Sequence, residues 1–191
     1  MTTSLFDYEA AYLRAGLEQL KAYLLADELY WNLGLRQERG RAPYPQMTLG
    51  NLLLAKARAA GAAQGAEEQR ELAAMSKELE AMLGEWRSAA EAKAEQEFGV
   101  RLRQWGRSML DFGEAPSRHA ASYASEVRVR AELALLAGYL PRAAKEPRGE
   151  LAEWDTRLRR LSTAGDFVWE QELEGAFPKG AWWYLWVTLK A

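Results

Sequence analysis

The strongest constraint on this chain is a near-absence of branched β-carbons: of 191 residues none is Ile, and only 5 Val and 6 Thr are present. Such side chains are stiff at χ1 and suit a pleated sheet, whereas Ala and Leu, here 34 and 28, suit a helix. The expectation is an all-α fold, a single-domain bundle over 1–191 with about five to seven helices. Candidate subdivisions are an N-terminal helical pair over 1–65, a long broken helix over 66–112 and C-terminal helices over 117–191. A chain of this length removes about 70% of its surface from water on folding, so no disulfide or metal is needed to hold it.

Other absences close routes to chemistry. With no Cys, thiol catalysis, iron–sulfur clusters and Cys-ligated zinc are excluded, and a single His excludes HExxH zinc sites and paired Glu-x-x-His di-iron sites. No metal, cofactor or catalytic residue is therefore assigned. The 25 basic and 27 acidic residues leave a net charge of −2, giving the whole molecule no long-range pull toward nucleic acid or anionic membranes. The opening residues lack the basic and apolar regions of a signal peptide, and the longest apolar-rich run, 181–189, falls far short of the ~20 residues that span a bilayer. The expectation is a soluble, cytoplasmic protein with no membrane span.

Along the chain, Phe6, Ala10, Leu13, Leu17, Leu20 and Leu24 step by four and three, the mark of one buried helical face. The stepping continues through Asp27 and Trp31, which predicts a helix over 5–33 with a carboxylate beside the seam. Thr48 reads as the N-cap of a second helix carrying Leu49, Leu52 and Leu53. Residues 66–112 contain no proline and would span about 70 Å as one helix, beyond the ~40 Å expected of a compact domain. Two stripes lie within them, Leu72 to Trp86 and Phe98 to Phe112. The helix turns through about 1,200° between Trp86 and Phe98, which leaves the stripes ~120° out of register. This predicts a break near Gly99. The stretch 88–97 has no large apolar side chain and is expected as a solvated, projecting part of the long helix. A helix capped by Ser117 and running to Tyr139 follows, then one marked by Leu151, Trp154, Leu158 and Leu161. Trp169, Leu173 and Phe177 recur every four residues, and a last helix is expected from Pro178 onward, with a strand over 181–188 as the alternative.

Three clusters are candidate sites. The C-terminal segment crowds aromatic rings, and Trp182, Trp183, Tyr184 and Trp186 are either a latch of the core or a partner-docking surface. Residues 101–160 carry 12 basic and 8 acidic residues; Arg101, Arg103, Arg107, Arg157 and Arg160 would bind phosphate if they converged on one surface. Asp27, Glu28, Trp31, Arg36 and Arg39 bring carboxylates, a ring and guanidinium groups together. Their plain reading is a polar tie between the loop and the first helix, and their chemical reading is the wall of a Trp-lined pocket. His119, with no base or metal partner in its surroundings, reads as a surface residue.

The reading that follows is a non-catalytic module that binds a protein partner or a second copy of itself. Its rivals are a nucleic-acid accessory protein using the arginines, and a small-molecule binder or enzyme with a pocket near Asp27 and Glu28.

Overall fold

The computed structural model describes residues 3–36, 40–141 and 144–190, and it has an all-α, multi-helix fold with one short strand pair. The chain divides into two compact units, Met1–Glu97 and Phe98–Ala191.

In the first unit, α1 (Leu5–Leu25) is opened by Ser4, whose Oγ accepts from the Asp7 N–H at 3.0 Å. Every residue of the predicted stripe from Phe6 to Leu24 is buried. α2 (Leu49–Ala62) crosses it closely: a Cβ on Gly16 would overlap Leu52 Cδ1, so any larger residue there would force the buried Leu52 side chain to move. Glu9 and Arg58, both buried, pair at 2.5 Å across the two helices. Thr48 caps α2 as its spacing predicts, its Oγ1 accepting from the Asn51 N–H at 3.1 Å.

The predicted extension of α1 to residue 33 does not form. Ala26 turns extended, with ψ 162°, and the chain runs out to an isolated bridge between Trp31 and Met47. The physical cause lies far along the sequence. Lys93 Nζ donates to Ala26 O at 2.8 Å and to Glu28 O at 2.6 Å, taking carbonyls at the end of α1 that a longer helix would use itself. Asp27 and Glu28 consequently lie exposed rather than on a seam.

α3 (Ala66–Glu85) and α4 (Arg87–Glu114) are separated at Trp86, with ψ 37°, and Gly99 lies inside α4, so the break comes earlier than the stripes predict. The two-stripe reading fails because alanine continues the second stripe. Buried positions of α4 fall at Ala90, Ala94, Phe98, Leu102, Trp105, Met109 and Phe112, one continuous row at helical spacing. The expected solvated, projecting stretch 88–97 is therefore packed. Its small side chains permit close approach, and its buried polar pair, Lys93 and Glu97, satisfies two helix ends. Lys93 meets the carbonyl end of α1. Glu97 meets the amide end of α2, accepting from Thr48 Oγ1 at 2.5 Å and from the Gly50 N–H at 2.8 Å. A cation at a C-terminus and an anion at an N-terminus both match the helix dipole.

In the second unit, the predicted helix 117–139 divides into α5 (Pro116–His119) and α6 (Tyr123–Leu136). Pro116 takes a first-turn position, where its missing N–H costs nothing. α7 (Lys145–Leu161) passes directly into β1 (Ser162–Ala164), which pairs antiparallel with β2 (Val187–Leu189), Thr163 facing Thr188. The strand expected as an alternative over 181–188 is thus the one that forms in part. The expected tail helices reduce to 3-10 turns, Gln171–Ala176 and Trp183–Leu185, because ring packing and indole bonds to distant backbone fix the chain instead.

Candidate functional site

The aromatic tail is built around Phe177, which is fully buried and meets the rings of Phe167, Trp169 and Trp182 at centroid distances of 6.4, 5.2 and 4.8 Å. Two indoles staple backbone: Trp169 Nε1 donates to Ala124 O at 2.7 Å and Trp186 Nε1 to Phe177 O at 2.9 Å. Trp169 and Trp186 thus help latch the tail inside the second unit.

Tyr184, a docking candidate by sequence, is only 1% exposed and is a core residue. Arg130 lies over its ring, with Cζ 4.3 Å from the centroid, and its carbonyl accepts from Tyr123 OH at 2.7 Å. Arg130 in turn grips Asp155 through Nε at 2.7 Å and Nη2 at 2.8 Å. Burial works against the Arg130 charge, yet its hydrogen bonds to Asp155 and the surrounding tyrosines outweigh it and hold the guanidinium more firmly charged than usual. Burial pushes the hydroxyls of Tyr123 and Tyr184 well above the ordinary tyrosine range. Arg130 Nη1 and Tyr184 OH are buried with no hydrogen-bond partner among the described residues.

Trp183 and Trp186 stay half-exposed and line an open groove of about 330 Å³ together with Ser162, Thr163, Ala164, Val187, Arg159 and Lys179. The Arg159 guanidinium stacks 3.7 Å from the Trp183 centroid, and Lys179 Nζ stands 5.9 Å from that of Trp186. Neither cation has a carboxylate partner among the described residues. Trp182 packs edge-on against Tyr184 and contributes to the latch. Sequence reasoning found the rings of this groove but not its cations. Arg159 is separated from Trp183 by the whole tail, and only its position in the basic last turn of α7 hinted at a role.

Of the five arginines, Arg157 and Arg160 share one open groove and Arg101 is engaged within the fold. Arg101 bonds to buried Glu132, Nε to Oε2 at 2.9 Å. Arg157 donates to Met109 O at 3.1 Å and lies over Gly113. Arg103 and Arg107 are exposed on α4, and the groove that Arg157 and Arg160 line, of about 270 Å³, lies beside Trp154.

The N-terminal cluster is rearranged as well. Trp31 Nε1 donates to Gln19 Oε1 at 2.8 Å, Arg36 is exposed, and Arg39 lies outside the described residues. Asp27 and Glu28 act on Lys93. Burial lowers the Lys93 affinity for its proton, and the two carboxylates, Glu28 first, oppose that effect. His119 Nδ1 lies 3.3 Å from Glu126 Oε1, and its ring packs on Phe112. Among the described residues no group of three or more His, Asp or Glu is placed to hold a metal, and no helix is long and apolar enough to cross a membrane. No protein-family model, curated protein or solved structure matches the chain.

Proposed function

We propose that the chain is a non-catalytic protein-interaction module that docks a protein partner in the groove bounded by Trp183 and Trp186. The observation that carries this reading is the groove itself: half-exposed indoles and Val187 line it together with two cations, Arg159 and Lys179, that have no carboxylate partner among the described residues. Tryptophan and arginine are the residue types that dominate binding energy at protein interfaces. The rest of the polar machinery supports the same reading by being consumed within the fold: Glu97 and Lys93 serve helix ends, and Arg130 with Asp155 serves the core.

The test begins with capture of partners on the immobilised chain, followed by affinity measurement with each purified partner. Trp183→Ala is expected to weaken a true partner by roughly 30-fold, the loss typical of a hot-spot ring. Thr163→Glu, on the exposed strand, is expected to weaken it without touching the latch. The double variant Arg103→Ala with Arg107→Ala should bind as the wild type does. Partners indifferent to both groove variants, with far-UV spectra unchanged, would overturn the reading.

A further inference from the structure

Resting on that reading of the groove, we infer that its occupant is an extended, acidic peptide segment that adds as a strand to the open edge of β1. The ladder fixes which backbone groups are free. Lys190 N donates to Leu161 O at 2.8 Å and Gly165 N to Trp186 O at 2.9 Å, bracketing the Thr163–Thr188 pair. In an antiparallel ladder the bonded pairs alternate, so the N–H and C=O of Ala164 point away from β2. Ala164 is exposed, and among the described residues the sheet has only these two strands. β2 is in contact with α5 and β1 with the end of α7 from which it continues; the exposed residues Thr163 and Ala164 mark β1 as the available edge. Proteins that leave an edge strand open usually blunt it with short length, lysine, proline or a bulge. β1, with the sequence Ser162, Thr163, Ala164, has no lysine, proline or bulge; its three-residue length limits indiscriminate pairing and confines an added strand to a short segment that the groove must help to hold.

The groove supplies the side-chain half of the recognition. All three β1 residues line it, so a strand added at this edge lays alternate side chains toward Trp183, Trp186 and Val187. About 330 Å³ holds one or two side chains, the number a short strand delivers to one face. Arg159 selects the charge. Stacking on Trp183 fixes its plane and leaves the in-plane N–H groups free for a carboxylate, and Lys179 adds a second positive charge. Arg58, Arg101 and Arg130 each have a carboxylate within this chain; Arg159 is exposed and has none among the described residues, which leaves its guanidinium available to a partner's carboxylate.

The experiment uses the full chain and a displayed library of random peptides, with affinities of selected synthetic peptides measured by fluorescence polarisation. Selected sequences are expected to alternate apolar residues and to contain Asp or Glu. N-methylation of alternate peptide amides should abolish binding in one parity and spare it in the other, because only one parity pairs with Ala164. Arg159→Gln should weaken binding by about 10-fold or more, and Arg107→Gln should leave it unchanged. Peptides that depend on Trp183 but are basic, helical or indifferent to N-methylation would overturn the strand inference and leave the docking reading standing. A library with no groove-dependent binder, or a labelled single-stranded oligonucleotide bound through Trp183 in place of any peptide, would overturn both.

Discussion

Glu97→Ala tests whether a single buried carboxylate joins α4 to the start of α2. Glu97 is 1% exposed and accepts from the Thr48 hydroxyl and from the Gly50 N–H. Each bond to a charged acceptor contributes about 1.5–3 kcal/mol, so losing both costs roughly 3–6 kcal/mol. The lower half of that range is expected, because Thr48 still accepts from the Asn51 N–H and keeps its cap, worth about 1 kcal/mol. In urea, with a slope of ~2 kcal/mol/M, the unfolding midpoint followed by far-UV circular dichroism should fall by about 1.5–2 M. Glu97→Gln should lose about half as much, since its amide accepts from Gly50 without retaining the charge. Glu95→Ala, two residues away and exposed, should stay within about 0.5 kcal/mol of the wild type. Equal losses in the Glu95 and Glu97 alanine variants, or a Glu97→Ala chain within about 0.5 kcal/mol of wild type, would refute the reasoning.

Further expectations concern the second unit. A Cβ on Gly165 would stand 2.3 Å from Thr188 Oγ1 and 3.1 Å from Thr188 N, so Gly165→Ala should cost about 1–3 kcal/mol and lower the Tm. Thr188→Ala on the same chain should recover only part of this, because the backbone contact stays; an unchanged Tm would contradict the packing. Asp155→Ala leaves the Arg130 guanidinium buried without its carboxylate and should cost about 3–5 kcal/mol by urea unfolding, a loss below about 1 kcal/mol arguing against the pair. Tyr123 and Tyr184 have folded pKa values raised above the ordinary value of 10.0, so the folded state holds their protons more tightly. Their contribution is intact below pH 10 and is lost as pH rises beyond it, so phenolate absorbance from these two residues should grow only as the chain unfolds. Tyr184→Phe loses a hydroxyl that has no partner and should unfold at higher pH than wild type; unfolding at the same pH would count against this account.

What could be read from sequence followed the size of side chains. Leu and Phe at helical spacing gave α1 its buried face, and the Thr48 cap needed only local chemistry. Lys93 and Glu97 were illegible for the opposite reason: an i,i+4 pair of opposite charges among alanines looks like a solvated face, and only tertiary structure shows that each charge finds a helix end. The break at Trp86 was misplaced because alanines were not counted as core. In the tail, ring spacing every four residues suggested helices, although Gly175, Pro178 and Gly180 punctuate it and the indole N–H groups find backbone carbonyls elsewhere. The aromatic cluster that holds Trp183 is plain in the sequence, but the cations around that ring come from positions 159 and 179, and only the folded chain brings them there.

The β1–β2 pairing also sets an order of events during synthesis. The pairings described above for the first unit all join residues up to Glu97, so that unit can close while later residues are still being added. The second unit cannot. β1 ends at Ala164, but its ladder partner and the indole that staples Phe177 come only at positions 186–189. Until then the strand that is to receive Val187 and Leu189 waits with both edges bare, and holding that interval free of wrong pairings is a demand the sequence meets by keeping β1 three residues long.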